Sequence, residues 1–340
     1  MSRIIVGGIG VLLVLLIGLT WLLGSRAKAR LAAKYPPPGQ IVDVGGYRLH
    51  INCQGSPMPG SPTVVMEGGN AESCLTWAAV QPEVARFARV CTYDRAGLGW
   101  SERSPKPRTA SNITEELHTL LAKAGVEPPY VLVGHSIGGM FVRYYAHRYP
   151  DQVAGMVLVD AAHEEQYLRF PESMRRLQQQ SLTMMVWVMR LLKMLNSIGL
   201  LALLPDQAGS AWSTPIPKQV REAYLGIVFS GTKSFEAMAD ETAAVEENFA
   251  AVRAAKITTL GNIPLVALLA PDQFAVLEKQ LSAADAQQIR AVTEELQAEL
   301  AALSPNGRRV IVRESGHYIQ VEQPQAVIDA IRQVVEATRR

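Results

Sequence analysis

A serine in a glycine-rich turn is the residue of this chain best suited to covalent chemistry. The turn contains the pentapeptide Gly134-His135-Ser136-Ile137-Gly138, between an apolar stretch of strand length, Tyr130–Val133, and a helical pattern, Gly138–Arg148. A serine on such a strand-to-helix turn has an exposed hydroxyl, and the helix N-terminus behind it stabilises developing negative charge. The spacing therefore predicts that Ser136 is a nucleophile.

A serine hydroxyl needs a base, and one of the six histidines is in a suitable position. His317 follows the strand-like Arg309–Arg313 and precedes the last helical pattern, Gln325–Ala337. Residues that follow parallel strands meet at the carboxyl edge of the sheet, which is also where Ser136 is expected. We therefore predict that His317 is the general base.

The carboxylate that would orient His317 has two candidates. Asp160 ends the apolar stretch Gly155–Val159, and Asp272 comes shortly after Pro264–Leu269. The order along the chain is serine, aspartate, histidine in either case. The residue pattern alone leaves both aspartates open.

The elements around these residues indicate an α/β fold. Short apolar strands alternate with helical patterns, which predicts a mostly parallel sheet with helices on both faces. Residues 41–160 and 256–340 are expected to form this core. Residues 161–255 contain helical patterns and no strand, so they are expected to form an inserted cap, and the largely apolar Ser181–Leu204 is expected to cover a cleft.

The first residues predict a membrane anchor. Residues 4–24 carry no charge, and as a helix they would span about 31 Å, the thickness of the bilayer core. A cleaved signal peptide usually has a shorter apolar stretch. We expect an anchor with its basic flank at residues 1–34 and a proline-rich linker at 35–40. The basic flank after the segment predicts a cytoplasmic catalytic domain.

Composition excludes several other classes of protein. Residues 1–34 hold five basic residues and no acidic ones, which leaves 28 basic against 31 acidic residues in the rest, a balance that does not suit nucleic acid. Three cysteines without CxxC spacing argue against a disulfide framework and a zinc site, so buried thiols are expected. The chain lacks a dinucleotide-binding fingerprint in the α/β region, so no cofactor is predicted.

Four blocks of sequence together resemble the α/β-hydrolase superfamily over about residues 40–338. They are Glu67-Gly68-Gly69-Asn70, the segment from Asp94 to Ser101, the turn around Ser136, and Gly316-His317. The resemblance implies an oxyanion hole formed by the backbone N–H of Ile137 and one N–H of Gly69 or Asn70. It also favours Asp160 over Asp272, because the block Val159-Asp160-Ala161-Ala162-His163 is similar to one in relatives. One departure is Glu67, since many relatives have histidine there.

These expectations combine into one function. Ser136 would attack the carbonyl of a small-molecule acyl substrate, such as a lipophilic carboxylic ester, and water would release the acyl group. Two alternatives remain open from the sequence, an acyltransferase on the same fold and a binding module that has lost catalysis.

Overall fold

The computed structural model describes residues 2–204, 216–271 and 280–339. Its centre is a sheet with the strand order β1-β2-β4-β3-β5-β6-β7-β8, in which β1, β2 and β4 pair antiparallel and all later neighbours pair parallel. This confirms the predicted mostly parallel α/β sheet. The strands are β1 (Gln40–Asp43), β2 (Arg48–Gln54), β3 (Thr63–Glu67), β4 (Val90–Tyr93), β5 (Tyr130–His135), β6 (Val153–Val159), β7 (Leu265–Leu269) and β8 (Gly307–Ile311).

Helices cover both faces of this sheet. Alternate residues of β5 point to opposite faces, so Leu132 packs in the apolar cluster on one face and Val133 in the cluster on the other. Because both faces are covered, the central strands are buried along their whole length. Outside the β6–β7 connection, the described residues form the helices α1 (Ser2–Lys34), α2 (Gln81–Val84), α3 (Ala110–Lys123), α4 (Ile137–Arg148), α11 (Ala283–Ala302), α12 (Ile319–Glu322) and α13 (Pro324–Thr338).

The connection between β6 and β7 is helical and lies over the carboxyl edge of the sheet. In its described residues, 160–204 and 216–264, it contains no strand. Its longest helix (Glu172–Ser197) packs along the helix Lys233–Ala243, and the region shares apolar clusters with α4 and with residues after β4. The helices are α5 (Gln166–Arg169), α6 (Glu172–Ser197), α7 (Leu200–Leu203), α8 (Lys218–Phe229), α9 (Lys233–Ala243) and α10 (Val245–Ala255).

Helix α1 continues ten residues beyond the predicted apolar segment, because the alanines, arginines and lysines after Gly24 are good helix formers. By length and composition, α1 is the one helix among the described residues that could cross a membrane. Its apolar side chains between residues 6 and 23 are almost all exposed, whereas its last part packs against α7 and α8. Gly24 and Gly199 touch there, backbone against backbone.

The expectation of three buried thiols was wrong for two of the cysteines. Cys53 of β2 and Cys91 of β4 form a disulfide, and only Cys74 is a free, buried thiol. The two half-cystines are direct partners in the antiparallel register of the two strands. They are 38 residues apart in sequence, so their pairing is decided by the register of the sheet and not by any local motif.

Candidate active site

Ser136 lies on a strained turn between β5 and α4. Its φ is 53° and its ψ is −126°, a conformation that residues with a Cβ rarely adopt. The neighbouring glycines are needed because the chain passes close by. A Cβ added to Gly138 would lie 2.4 Å from the carbonyl oxygen of Gly68, and one added to Gly134 would lie 2.6 Å from that of Gly138.

His317 and Asp160 complete a chain of hydrogen bonds that starts at Ser136. The hydroxyl Oγ of Ser136 lies 2.9 Å from Nε2 of His317, and Nδ1 of His317 lies 2.7 Å from Oδ2 of Asp160. A carboxylate only accepts, so Nδ1 carries the proton and Nε2 accepts from the serine hydroxyl. His317 is a third exposed, while Asp160 is buried. The structure thus brings together three residues that are far apart in sequence.

Asp160 is held at the end of β6 by its own backbone and by its second oxygen. Its φ is 43°, and its Oδ1 accepts a hydrogen bond of 2.9 Å from the backbone N–H of Ala270. Both carboxylate oxygens therefore have donors. The alternative acid of the sequence, Asp272, lies outside the described residues.

The three residues predicted for the oxyanion hole differ in what their N–H groups contact. Ile137 is the first residue of α4, where backbone N–H groups have no acceptor within the helix. The N–H of Gly69, in contrast, donates to Oε2 of Glu72 at 2.9 Å. The side chain of Asn70 donates to Oγ1 of Thr242 in α9, which ties this turn to the helical region above the sheet.

A buried ion pair lies directly behind His317, and the sequence did not predict it. Nδ1 of His135 lies 3.0 Å from Oε1 of Glu72, and its Nε2 lies 2.9 Å from the carbonyl oxygen of His317. Both partners only accept, so both ring nitrogens donate and the ring is an imidazolium. Burial lowers the pKa of His135, but the charge and hydrogen bond of Glu72 outweigh burial and raise it.

The pKa of Glu72 moves in the opposite direction. Burial raises the pKa of this carboxyl, but the charge and hydrogen bond of His135, together with the N–H of Gly69, bring the pKa below its usual value. Through the ring of His135, Glu72 joins the turn after β3 to the loop that carries His317. The position of His135 between Gly134 and Ser136 was a visible signal, but its partner could not be read from the sequence.

A second buried ion network fixes the carbonyl groups of the same turn. Arg95 donates to the carbonyl oxygens of Gly68 and Gly69 at 2.8 and 2.6 Å and also pairs with Glu67 and Glu241. Burial raises the pKa of Glu67 despite the charge of Arg95. Glu241 belongs to α9, and the charge of Arg95 lowers its pKa in spite of burial. The network links the turn to the helical region.

Two cavities lie near the site, one at the hydrogen-bonded residues and one along the turn after β3. One, of about 280 Å³, is bounded by Ser136 and His317 and by side chains of mixed polarity from the helical region and α11. The other, of about 180 Å³, is mostly apolar and begins at Asn70. Its lining includes Met185, Met189, Val220, Tyr224, Met238 and Tyr318.

His50, Cys74 and Asp94 form a compact buried cluster, the one described group with metal-ligand chemistry. Its polar atoms are already engaged. Asp94 accepts from the ring of His50 at 2.8 Å and from the N–H groups of Cys74 and Trp100 at 2.7 and 3.1 Å. Burial raises the pKa of the Cys74 thiol well above its usual value, which keeps it protonated. The cluster shapes the turn from Asp94 to Ser101.

Comparison with known proteins agrees with this architecture. The α/β-hydrolase fold family matches residues 62–193. A relative from Gibberella zeae, named an AB hydrolase superfamily protein, is 26% identical over 321 residues, which cover 86% of this chain and 92% of that protein. Two other relatives, from Hormonema carpetanum and Bacillus subtilis, are 35% and 30% identical, but the chain spans only 20% and 42% of their lengths.

Solved structures share the fold at low identity. The epoxide hydrolase CorEH superposes with a TM-score of 0.63 at 18% identity, covering 88% of this chain and 98% of that one. A thermophilic esterase from Thermogutta terrifontis superposes with a TM-score of 0.58 at 20% identity and the same coverage. With its strand order, its inserted helices and these matches, the chain has the α/β-hydrolase fold.

Proposed function

We propose that this protein is a membrane-anchored serine hydrolase that cleaves a carboxylic ester or a related acyl substrate. The observation that carries the proposal is the continuous hydrogen-bonded chain from Ser136 through His317 to Asp160. Its tautomer leaves Nε2 ready to take the serine proton, and a strained backbone holds the hydroxyl in place. The anchor is α1, whose exposed apolar side chains suit lipid.

The reaction proceeds in two steps. Ser136 Oγ attacks the acyl carbonyl while its proton moves to Nε2 of His317, and Asp160 stabilises the imidazolium that forms. The proton then passes to the leaving alcohol, which departs and leaves an acyl-serine. His317 next takes a proton from water, the hydroxide attacks the acyl-serine, and the proton returns to Ser136 as the acid is released.

The oxyanion of each tetrahedral intermediate requires two donors. We assign these to the backbone N–H groups of Ile137 and Asn70. Gly69 is the poorer choice, because its N–H already donates to a carboxylate. Arg95 supports the assignment by fixing the carbonyls on either side of Gly69. Removing a single such donor typically costs about 10²–10³ in turnover.

The serine distinguishes this reading from that of some relatives of the same fold. The epoxide hydrolase and haloalkane dehalogenase branches use aspartate as the nucleophile, whereas this chain has Ser136 at the turn. An acyl-serine mechanism uses no cofactor, in keeping with the sequence-based expectation of none.

An active-site serine probe tests the proposal. The full chain in detergent should react with a fluorophosphonate and hydrolyse aryl esters, with a preference that a series of acyl chain lengths would reveal. Ser136→Ala should lose labelling and nearly all turnover while it stays folded, because one small exposed hydroxyl is removed. Ser104→Ala, on the loop before α3, is the matched control and should react like the wild type. A Ser136→Ala variant with near-normal hydrolysis would refute the serine mechanism.

A further inference from the structure

The outer face of α6 carries a stripe of exposed apolar side chains. Their spacing of three or four residues places them on one side of the helix. They are 41–65% exposed, far more than an ordinary surface helix requires. The stripe consists of Met184, Trp187, Val188, Leu191 and Met194.

The opposite face of the same helix packs against the protein and is partly buried. Met189 and Leu192 pack against the apolar cluster formed with α8 and α9. Met189 and Met185, the latter still 43% exposed, also line the apolar cavity that includes Asn70. One helix thus separates this cavity from an apolar outer surface.

The end of α6 lies beside the part of α1 where its exposed apolar stretch stops. Gly199, two residues beyond α6, touches Gly24, and the ammonium of Lys28 donates to the carbonyl oxygen of Ser197 at 3.3 Å. Helix α7, which packs against α1, exposes Leu203 and, just beyond its end, Leu204. The apolar stripe is therefore continuous with the membrane anchor through α7.

We propose that the outer face of α6 docks on the bilayer that α1 enters. This proposal rests on the membrane anchor of the proposed function. Apolar residues on one face of a helix, with arginine and tryptophan beside them, are typical of helices that lie in the membrane interface. The guanidinium of Arg190 lies 5.7 Å from the ring centre of Trp187, where it can reach lipid phosphates. The ammonium of Lys28 in α1 lies beside the end of α6, where it can also meet anionic headgroups.

Docking specifies the chemical class of the substrate. An ester with a long acyl or alkyl chain that leaves the bilayer beside α6 would meet the cavity lined by Met185 and Met189. Its chain would fill that cavity, and its carbonyl would lie beyond Asn70, at Ser136, which lines the other cavity. The substrate is thus a lipid-like ester taken from the membrane, rather than a short ester from water.

Site-specific fluorescence on the full chain tests the docking without requiring catalysis. Leu191→Cys would carry an environment-sensitive fluorophore in nanodiscs of phosphatidylcholine and phosphatidylglycerol whose acyl chains are brominated. The native cysteines interfere little, because two form the disulfide and Cys74 is buried. The matched control is Met58→Cys, an exposed apolar position on the loop before β3, at the opposite sheet edge from Ser136.

The fluorophore at position 191 should be blue-shifted and quenched several-fold more by brominated lipid than the one at position 58. Equal quenching at both positions would overturn the docking. A blue shift at position 191 that appears only in discs with two copies of the protein would also overturn the docking, because the stripe would then join two protomers. Labelling by a fluorophosphonate in the same discs tests the serine mechanism separately. Loss of labelling would count against the proposed function, and loss of lipid quenching would count against the docking.

Kinetics on two substrates test the link to a lipid-like ester. For Leu191→Glu, the rate on a long-chain ester embedded in vesicles, divided by the rate on a short soluble ester, should fall about tenfold, since one leucine leaves the interface. An unchanged ratio would refute the role of this face in substrate delivery.

Discussion

Replacing Asp160 by asparagine tests the geometry of the site most directly. The carboxylate accepts from His317 through Oδ2 and from the N–H of Ala270 through Oδ1. An asparagine has one acceptor oxygen, so only one of these two donors can keep its partner. If the oxygen stays with Ala270, the new amide N–H₂ faces Nδ1 and forces His317 into the tautomer with a proton on Nε2. That tautomer cannot take the proton of Ser136.

The expected loss is large, and the protein should remain folded. In Ser-His-Asp enzymes this substitution reduces kcat by about 10⁴, which corresponds to about 5.4 kcal/mol of transition-state stabilisation. The φ of 43° at position 160 is of the left-handed kind that asparagine tolerates better than most residues. The backbone of β6 is therefore expected to keep its course in the variant.

The assay is turnover of an aryl ester by the purified full chain, with near-UV circular dichroism as the test of folding. Asp240→Asn is the matched control, because this half-exposed carboxylate pairs with Arg103 on the surface of α9 and should lose almost no activity. A folded Asp160→Asn variant with more than about a tenth of normal turnover would refute the assignment. If Asp272→Asn were then the severe variant, Asp272 would be the acid.

Three other predictions follow from the buried groups around the site. Glu241→Gln removes one charge from the Arg95 network and should reduce kcat more than it changes KM, as steady-state kinetics on an aryl ester would measure; a change confined to KM would contradict this role. His135 has a raised pKa, so its ionic contribution to stability is complete below about pH 6.5 and is lost as the pH rises through the folded-state value. The difference in thermal midpoint between wild type and His135→Gln should therefore shrink from pH 6 to pH 9, and a constant difference would count against the imidazolium. Denatured protein without reductant should expose one reactive thiol, Cys74, and three after reduction. The same alkylation in intact cells tests the predicted cytoplasmic location, because disulfides persist mainly in oxidising compartments; a stable disulfide there would argue for the opposite orientation.

The sequence by itself determined the sheet and the turn that carries Ser136. Period and length of the apolar stretches predicted the strands, because buried parallel strands are continuously apolar. A glycine-flanked serine between strand and helix predicted the strained turn at Ser136, which is a local property of the backbone. The long uncharged stretch at the N-terminus predicted an apolar helix in the same way, from composition alone.

The tertiary structure decided every feature that depends on contacts between distant residues. The sequence could not exclude either Asp160 or Asp272, since each follows a strand at the same sheet edge; the observed contact is that of Asp160 with His317. The Cys53–Cys91 bond follows from strand register, which no local pattern encodes. Likewise, the carboxylate of Glu72 accepts from the N–H of Gly69 and pairs with the ring of His135. It reaches both groups only once the chain has folded. Neighbouring residues determine the local conformation of the backbone, whereas packing determines which distant groups become partners in hydrogen bonds and ion pairs.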